Sequence, residues 1–172
     1  RNTIIHFFVN RAITEMALIH IISEGHDGDV QRAVLNEALR LRDTLKFEFF
    51  FSNTDEFEQE IRNELADHDI DLQEHLDAGD ADAILLSFRP FVSHSILRPF
   101  FEAYRVVGDI IEQHAYRTGV DKETVRADAL ALGKQYVLQG LVSKSESISK
   151  VLFESALNHA ENRSIFKDGP DI

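Results

Sequence analysis

Leu45-Lys46-Phe47-Glu48-Phe49-Phe50-Phe51 is the tightest constraint on how this chain can fold, because four phenylalanines fall within five residues and aromatic rings of that size need cover. An amphipathic helical pattern enters the stretch from Val30 (Val34, Leu35, Ala38, Leu41, Leu45), and another leaves it through Phe57, Ile61 and Leu65. Between them Asn53, Thr54 and Asp55 offer side-chain oxygens to the free N–H groups of a starting helix. The stretch reads as a buried corner: one helix ends in aromatics, the chain turns, and a second helix packs back. Aromatic runs form core more often than they line a ligand box, so the corner specifies a folded helical domain and no chemistry.

The helical period continues on both sides. Ile4, Ile5, Phe8, Ala12, Met16, Ile19 and Ile22 place a first helix over residues 1–23, and a turn containing Gly25 and Gly28 separates it from a second over 30–46. A third runs over 53–67. Residues 67–82 are acidic and interrupted by Gly79, and Ala83-Ile84-Leu85-Leu86-Ser87-Phe88 allows a short strand or a buried coil. Arg89-Pro90 then opens a long helical run to Thr118, with a kink or break expected before Pro99. Asp121 and Glu123 suit the start of a further helix, which carries Val125, Leu130, Leu132 and Tyr136. A second corner at 143–146 leads to a last helix from Ile148 to about Asn162.

The expected fold is all-α, a helical bundle with at most a short strand pair near 70–88. Residues 1–166 form a single helical domain in this reading and 167–172 a frayed tail. Sliding the chain by 91 positions pairs Gly28 with Gly119, Val34 with Val125, Ala38 with Ala129 and Leu41 with Leu132. This predicts two related helix–corner–helix units, with coincidence between amphipathic helices of equal period as the alternative.

A net charge of −12 opposes a nucleic-acid surface and a direct hold on anionic lipid heads. Without cysteine there are neither disulfides nor thiolate metal sites, which fits a reducing compartment. No apolar stretch reaches the roughly 18 residues a membrane span needs, and no leader-peptide pattern is present. Helical patterning is already running at Ile4 with no initiator Met before it, so a piece of a longer polypeptide is expected.

Candidate chemistry is sparse. Glu60, Glu64 and His68 share one helical face and could serve a metal-dependent helical enzyme, but the Glu-x-x-His and His-Glu-x-x-His signatures are missing and a solvated acidic face is the simpler reading. His75 and Asp80 fit H-x4-D, the spacing with which glycerolipid acyltransferases orient a general base; two fixed positions arise easily by chance, and no role is assigned to them. Arg1, Asn2 and His6 stand at the head of the first helix, with Asn2 and His6 one turn apart, and could bind an anion or a neighbouring domain.

Arg1-Asn2-x-x-x-His6 before a long apolar helix, Leu45-Lys46-x-Glu48-x-Phe50 at the aromatic corner, Asp55 and Glu56 ahead of the next apolar helix, and the helical pair from about Asp121 onward together resemble the bacterial glycerol-3-phosphate acyltransferases, in the region C-terminal to their catalytic domain. Phe100-Phe101-Glu102-Ala103-Tyr104-Arg105-Val106-Val107 is similar to the actinobacterial branch. The resemblance implies a parent enzyme that moves an acyl group from acyl-CoA or acyl carrier protein to the first hydroxyl of sn-glycerol 3-phosphate, giving lysophosphatidate for phospholipid synthesis at the cytoplasmic face of the membrane. It implies no cofactor, no catalytic residue on this chain, and a partner in the polypeptide's own N-terminal catalytic domain, with a homodimer contact as a further use of its surface. Arg1, Asn2 and His6 match the family's Arg-Asn motif, so a substrate phosphate is their implied ligand. A stand-alone helical ligand-binding or regulatory module is the alternative.

Overall fold

The computed structural model describes residues 8–25, 28–68, 70–115 and 120–166, and all regular secondary structure among them is helical. The chain divides into two compact units, Arg1–Leu97 and Arg98–Ile172. The predicted tail at 167–172 lies outside the described residues.

The first unit contains α1 (Val9–Glu24), α2 (Val30–Leu45), α3 (Thr54–Ala66), α4 (Leu72–Asp77), α5 (Ala81–Ser87) and a 3-10 turn at Ser93–Ile96. Four of its helices begin on an Asx cap: Asp29, Asn53, Asp71 and Asp80 accept from the N–H groups of Arg32, Glu56, Glu74 and Ala83. The last two caps explain why residues 70–88 hold helices and not the strand pair allowed by the sequence. Asp71 and Asp80 each satisfy a free N–H and commit the following turn to α geometry, while Gly79 turns the chain between them at φ 71°.

The centre of this unit is α1, against which α2, α3 and the 3-10 turn pack. Ala12, Ile13, Ala17 and Leu18 are buried on it, as are Val34, Ala38 and Leu45 of α2 and Phe57 and Ile61 of α3. At the corner after α2, the N–H groups of Glu48 and Phe49 both donate to the Leu45 carbonyl, at 2.9 and 3.1 Å. This turn sends Phe49 inward, and Phe51 meets the ring of buried Phe57 edge-on at 5.6 Å. The Arg42 guanidinium lies 5.4 Å from the Phe57 ring centre and donates to the Ser52 carbonyl at 2.6 Å, holding the corner shut. Phe50 departs from the expected core: between two inward neighbours it points away and is 97% exposed.

The second unit contains α6 (Arg98–His114), α7 (Lys122–Leu138), a 3-10 turn at Ser145–Ser147 and α8 (Lys150–Asn162). The run expected from Arg89 does break before Pro99, as the sequence predicts, but the part ahead of the break is not an α-helix. A cis Arg89-Pro90 bond and the Ser93–Ile96 turn come first, and α6 begins at Arg98, so Pro99 falls in its first turn, where a missing N–H costs nothing. Ala103, Val106, Val107 and Ile110 of α6 pack with Val125 and Ala129 of α7 and Phe153 and Leu157 of α8. Each unit thus has a long helix on which two later helices rest, and the pairs Val34/Val125 and Ala38/Ala129 picked out by the 91-residue shift are all buried.

Two predictions arise here. A Cβ at Gly133 of α7 would lie 2.6 Å from Ile148 Cδ1 and 3.1 Å from its Cγ2, so both branches of a β-branched side chain would have to move. Gly133→Ala therefore lowers stability by about 1 kcal/mol even though alanine is the better helix former, and Ile148→Val in the same background recovers part of the loss, as a double-mutant cycle in urea will read. The second concerns Glu102 on α6, which accepts from Ser147 Oγ at 2.6 Å and from the Ser143 N–H at 2.9 Å, tying the second corner down. Burial pushes its carboxyl up, but these bonds and nearby Arg98 outweigh burial and hold it below the usual carboxylate range. A lowered folded-state value means stabilisation that is full above the unfolded value of about 4.3 and lost as pH falls through the folded value. The stability gap between wild type and Glu102→Gln is expected to be constant near neutrality and to close below about pH 4.

Candidate functional site

A polar cluster centred on a buried carboxylate lies beside the first two turns of α1. Glu15, wholly buried, accepts from the His94 backbone N–H at 2.8 Å, and its Oε2 is 3.0 Å from His94 Nδ1. Arg11, one turn earlier, approaches the other carboxylate oxygen at 3.4 Å and donates to the Phe88 carbonyl at 3.1 Å. His68, just beyond α3, stacks on the Phe88 ring at 3.8 Å and donates from Nδ1 to the Ser87 carbonyl at 2.9 Å. Glu64 sits nearby with its carboxyl pushed up by burial, an effect that Arg11 partly offsets. Three of these bonds end on backbone groups, of Ser87, Phe88 and His94, at the two ends of the connection from α5 to the 3-10 turn. The cluster is built to hold that connection against α1.

The residues singled out from the sequence are placed as follows. Glu60 accepts from Asn10 at 2.8 Å and His68 is committed to Ser87, so the shared face of Glu60, Glu64 and His68 is divided between neighbours. Among the described residues no three His, Asp or Glu side chains gather as a metal site would require. His75 Nδ1 does come within 3.5 Å of Asp80, but Asp80 caps α5 and its N–H donates to the His75 carbonyl, which makes the pair part of the turn. Arg1, Asn2 and His6 lie outside the described residues.

Two arrangements escaped the sequence reading. Glu15 and Arg11 show in sequence only as a charged i,i+4 pair inside an apolar helix, with no sign that the third member is His94. On the second unit His114 Nε2 lies 2.8 Å from Asp128, joining α6 to α7 beside a shallow cleft lined by Gln113, Leu132 and Gln135. Its two members stand 14 positions apart on different helices, so spacing alone does not pair them.

Among the described residues no helix is long and apolar enough to cross a membrane. The arrangement defines a class: an all-helical region whose polar groups mostly brace helices and turns. Residues 1–169 match the family described as the glycerol-3-phosphate acyltransferase C-terminal region, and the chain belongs to that family. It is 40% identical, over 99% of its length, to the proteins named "Putative acyltransferase plsB1" of Mycobacterium bovis and of two strains of Mycobacterium tuberculosis. The chain spans 28% of the length of these relatives. No solved structure matches it.

Proposed function

We propose that this chain is the helical C-terminal part of a membrane-associated glycerol-3-phosphate 1-O-acyltransferase and supports the catalytic part without supplying catalytic groups. The parent enzyme transfers an acyl group from acyl-CoA or acyl carrier protein to the first hydroxyl of sn-glycerol 3-phosphate. The observation that carries this reading is the family match over residues 1–169, taken with relatives in which the same stretch is 28% of a longer acyltransferase-named protein. The engagement of Glu15, His68 and Asp80 with backbone partners agrees with a bracing role. The enzyme works at the cytoplasmic face of the membrane as a peripheral protein.

The test is acyl transfer to glycerol 3-phosphate by the intact protein and by residues 1–172 alone. Activity confined to the intact protein is expected, and turnover by the isolated chain refutes the division of labour. Arg1, Asn2 and His6 are proposed to help hold the substrate phosphate, with the guanidinium as the main contact. In the intact enzyme Arg1→Ala should then raise the KM for glycerol 3-phosphate by roughly 10- to 100-fold, the worth of a charged hydrogen-bonded contact, with a smaller change in kcat. An unchanged KM excludes the phosphate role.

A further inference from the structure

Phe50 is the most exposed of the large apolar side chains among the described residues, and it belongs to a corner whose Phe49 and Phe51 are used in packing. Its place in the fold says what covers it. Helices α1 and α2 pack together with only five residues between Glu24 and Val30, so they run antiparallel, and the end of α2 lies at the end of the pair where α1 begins. The Asn10–Glu60 hydrogen bond sets the first turn of α1 beside α3, the helix that leaves the corner. Near the start of α1 two separate stretches therefore expose apolar groups: Phe8 at its head and Phe50 at the corner.

We infer that this apolar end of the first unit, with Phe50 at its tip, is the seat of the polypeptide that precedes α1, namely the catalytic portion of the same chain. The inference rests on the function proposed above and names the surface through which the bracing acts. In the relatives this region is 28% of the length and its family is a C-terminal region, so most of the protein comes before it and enters at the start of α1. A lipid surface and a second copy fit less well, since the chain carries a net charge of −12 and would be repelled by anionic headgroups and by itself.

The intact protein tests this with Phe50→p-benzoylphenylalanine, a photo-crosslinking side chain at a site too exposed to disturb the core. The substituted protein is prepared as a mixture of isotopically heavy and light copies, irradiated on vesicles of anionic phospholipid and mapped by mass spectrometry. The expected dominant product joins position 50 to a residue preceding Arg1 within one copy. Heavy–light crosslinks point to a second copy, phospholipid adducts to the membrane, and a product profile of solvent-quenched probe alone to an open surface; each overturns the inference. Acyl transfer is assayed on the same sample, so loss of the proposed activity and loss of the docking surface are read independently.

Discussion

Phe57→Ala is expected to destabilise the first unit by about 4 kcal/mol in urea unfolding, whereas Phe50→Ala, seven positions earlier in the aromatic run that precedes α3, shifts it by less than about 0.5 kcal/mol. The contrast follows from what each ring touches. Phe57 has no exposed surface and sits under the edge of Phe51 and beside the Arg42 guanidinium. Truncation removes the burial, leaves a cavity, and deprives Arg42 of the ring that orients it toward the Ser52 carbonyl. Since domains of this size are stable by only about 5–15 kcal/mol, the loss takes a large share and the corner opens first. Phe57→Leu, which refills part of the volume without the ring, should lie between the two. Equal and small effects at both positions would mean that the corner is not the core of this unit.

The same pair shows how much of the fold the sequence carries. Helices α2 and α3 are legible because their apolar residues repeat on one face and an Asp or Asn stands before each. The corner between them is legible as a corner, but which phenylalanine turns outward depends on the turn at Leu45, and a five-residue aromatic run has no period to reveal it. Helix α1 is apolar on nearly every side, so its inward face could not be read off. Ile19, taken as core, is exposed, while Thr14 and Glu15 are buried. Over 83–88 a short apolar run has the same look in a strand and a helix, and a single capping Asp80 decides between them. The family was legible through short motifs such as Leu45-Lys46-x-Glu48-x-Phe50. The polar cluster was not, since its members meet only after the chain has returned to α1 from 79 residues away.

That return depends on Glu15, and removing its carboxylate is expected to release the connection it holds. The 3-10 turn at Ser93–Ile96 has Val92 in its cap position, which offers no side-chain acceptor, so the His94 N–H would be an orphan without the Glu15 oxygen 2.8 Å away. Glu15→Ala leaves that N–H unmatched, frees His94 Nδ1 and deprives Arg11 of its counter-charge beside the Phe88 carbonyl. Because Arg11 and His94 retain some contact with water, the loss is about 3 kcal/mol and not the larger cost of a fully sealed ion pair. Glu15→Gln keeps one acceptor for the N–H and should lose about half as much. Hydrogen exchange at the His94 amide reads this directly: 3 kcal/mol corresponds to roughly a hundredfold faster exchange in Glu15→Ala, against about tenfold in Glu15→Gln, with the amides in the middle of α2 less affected. If the His94 amide exchanges at the wild-type rate in both variants, the carboxylate is not what fastens the turn to α1. In the intact protein the same substitution should also expose positions 86–92 to proteolysis, because Arg11 and Glu15 are what set that connection beside the first turns of α1.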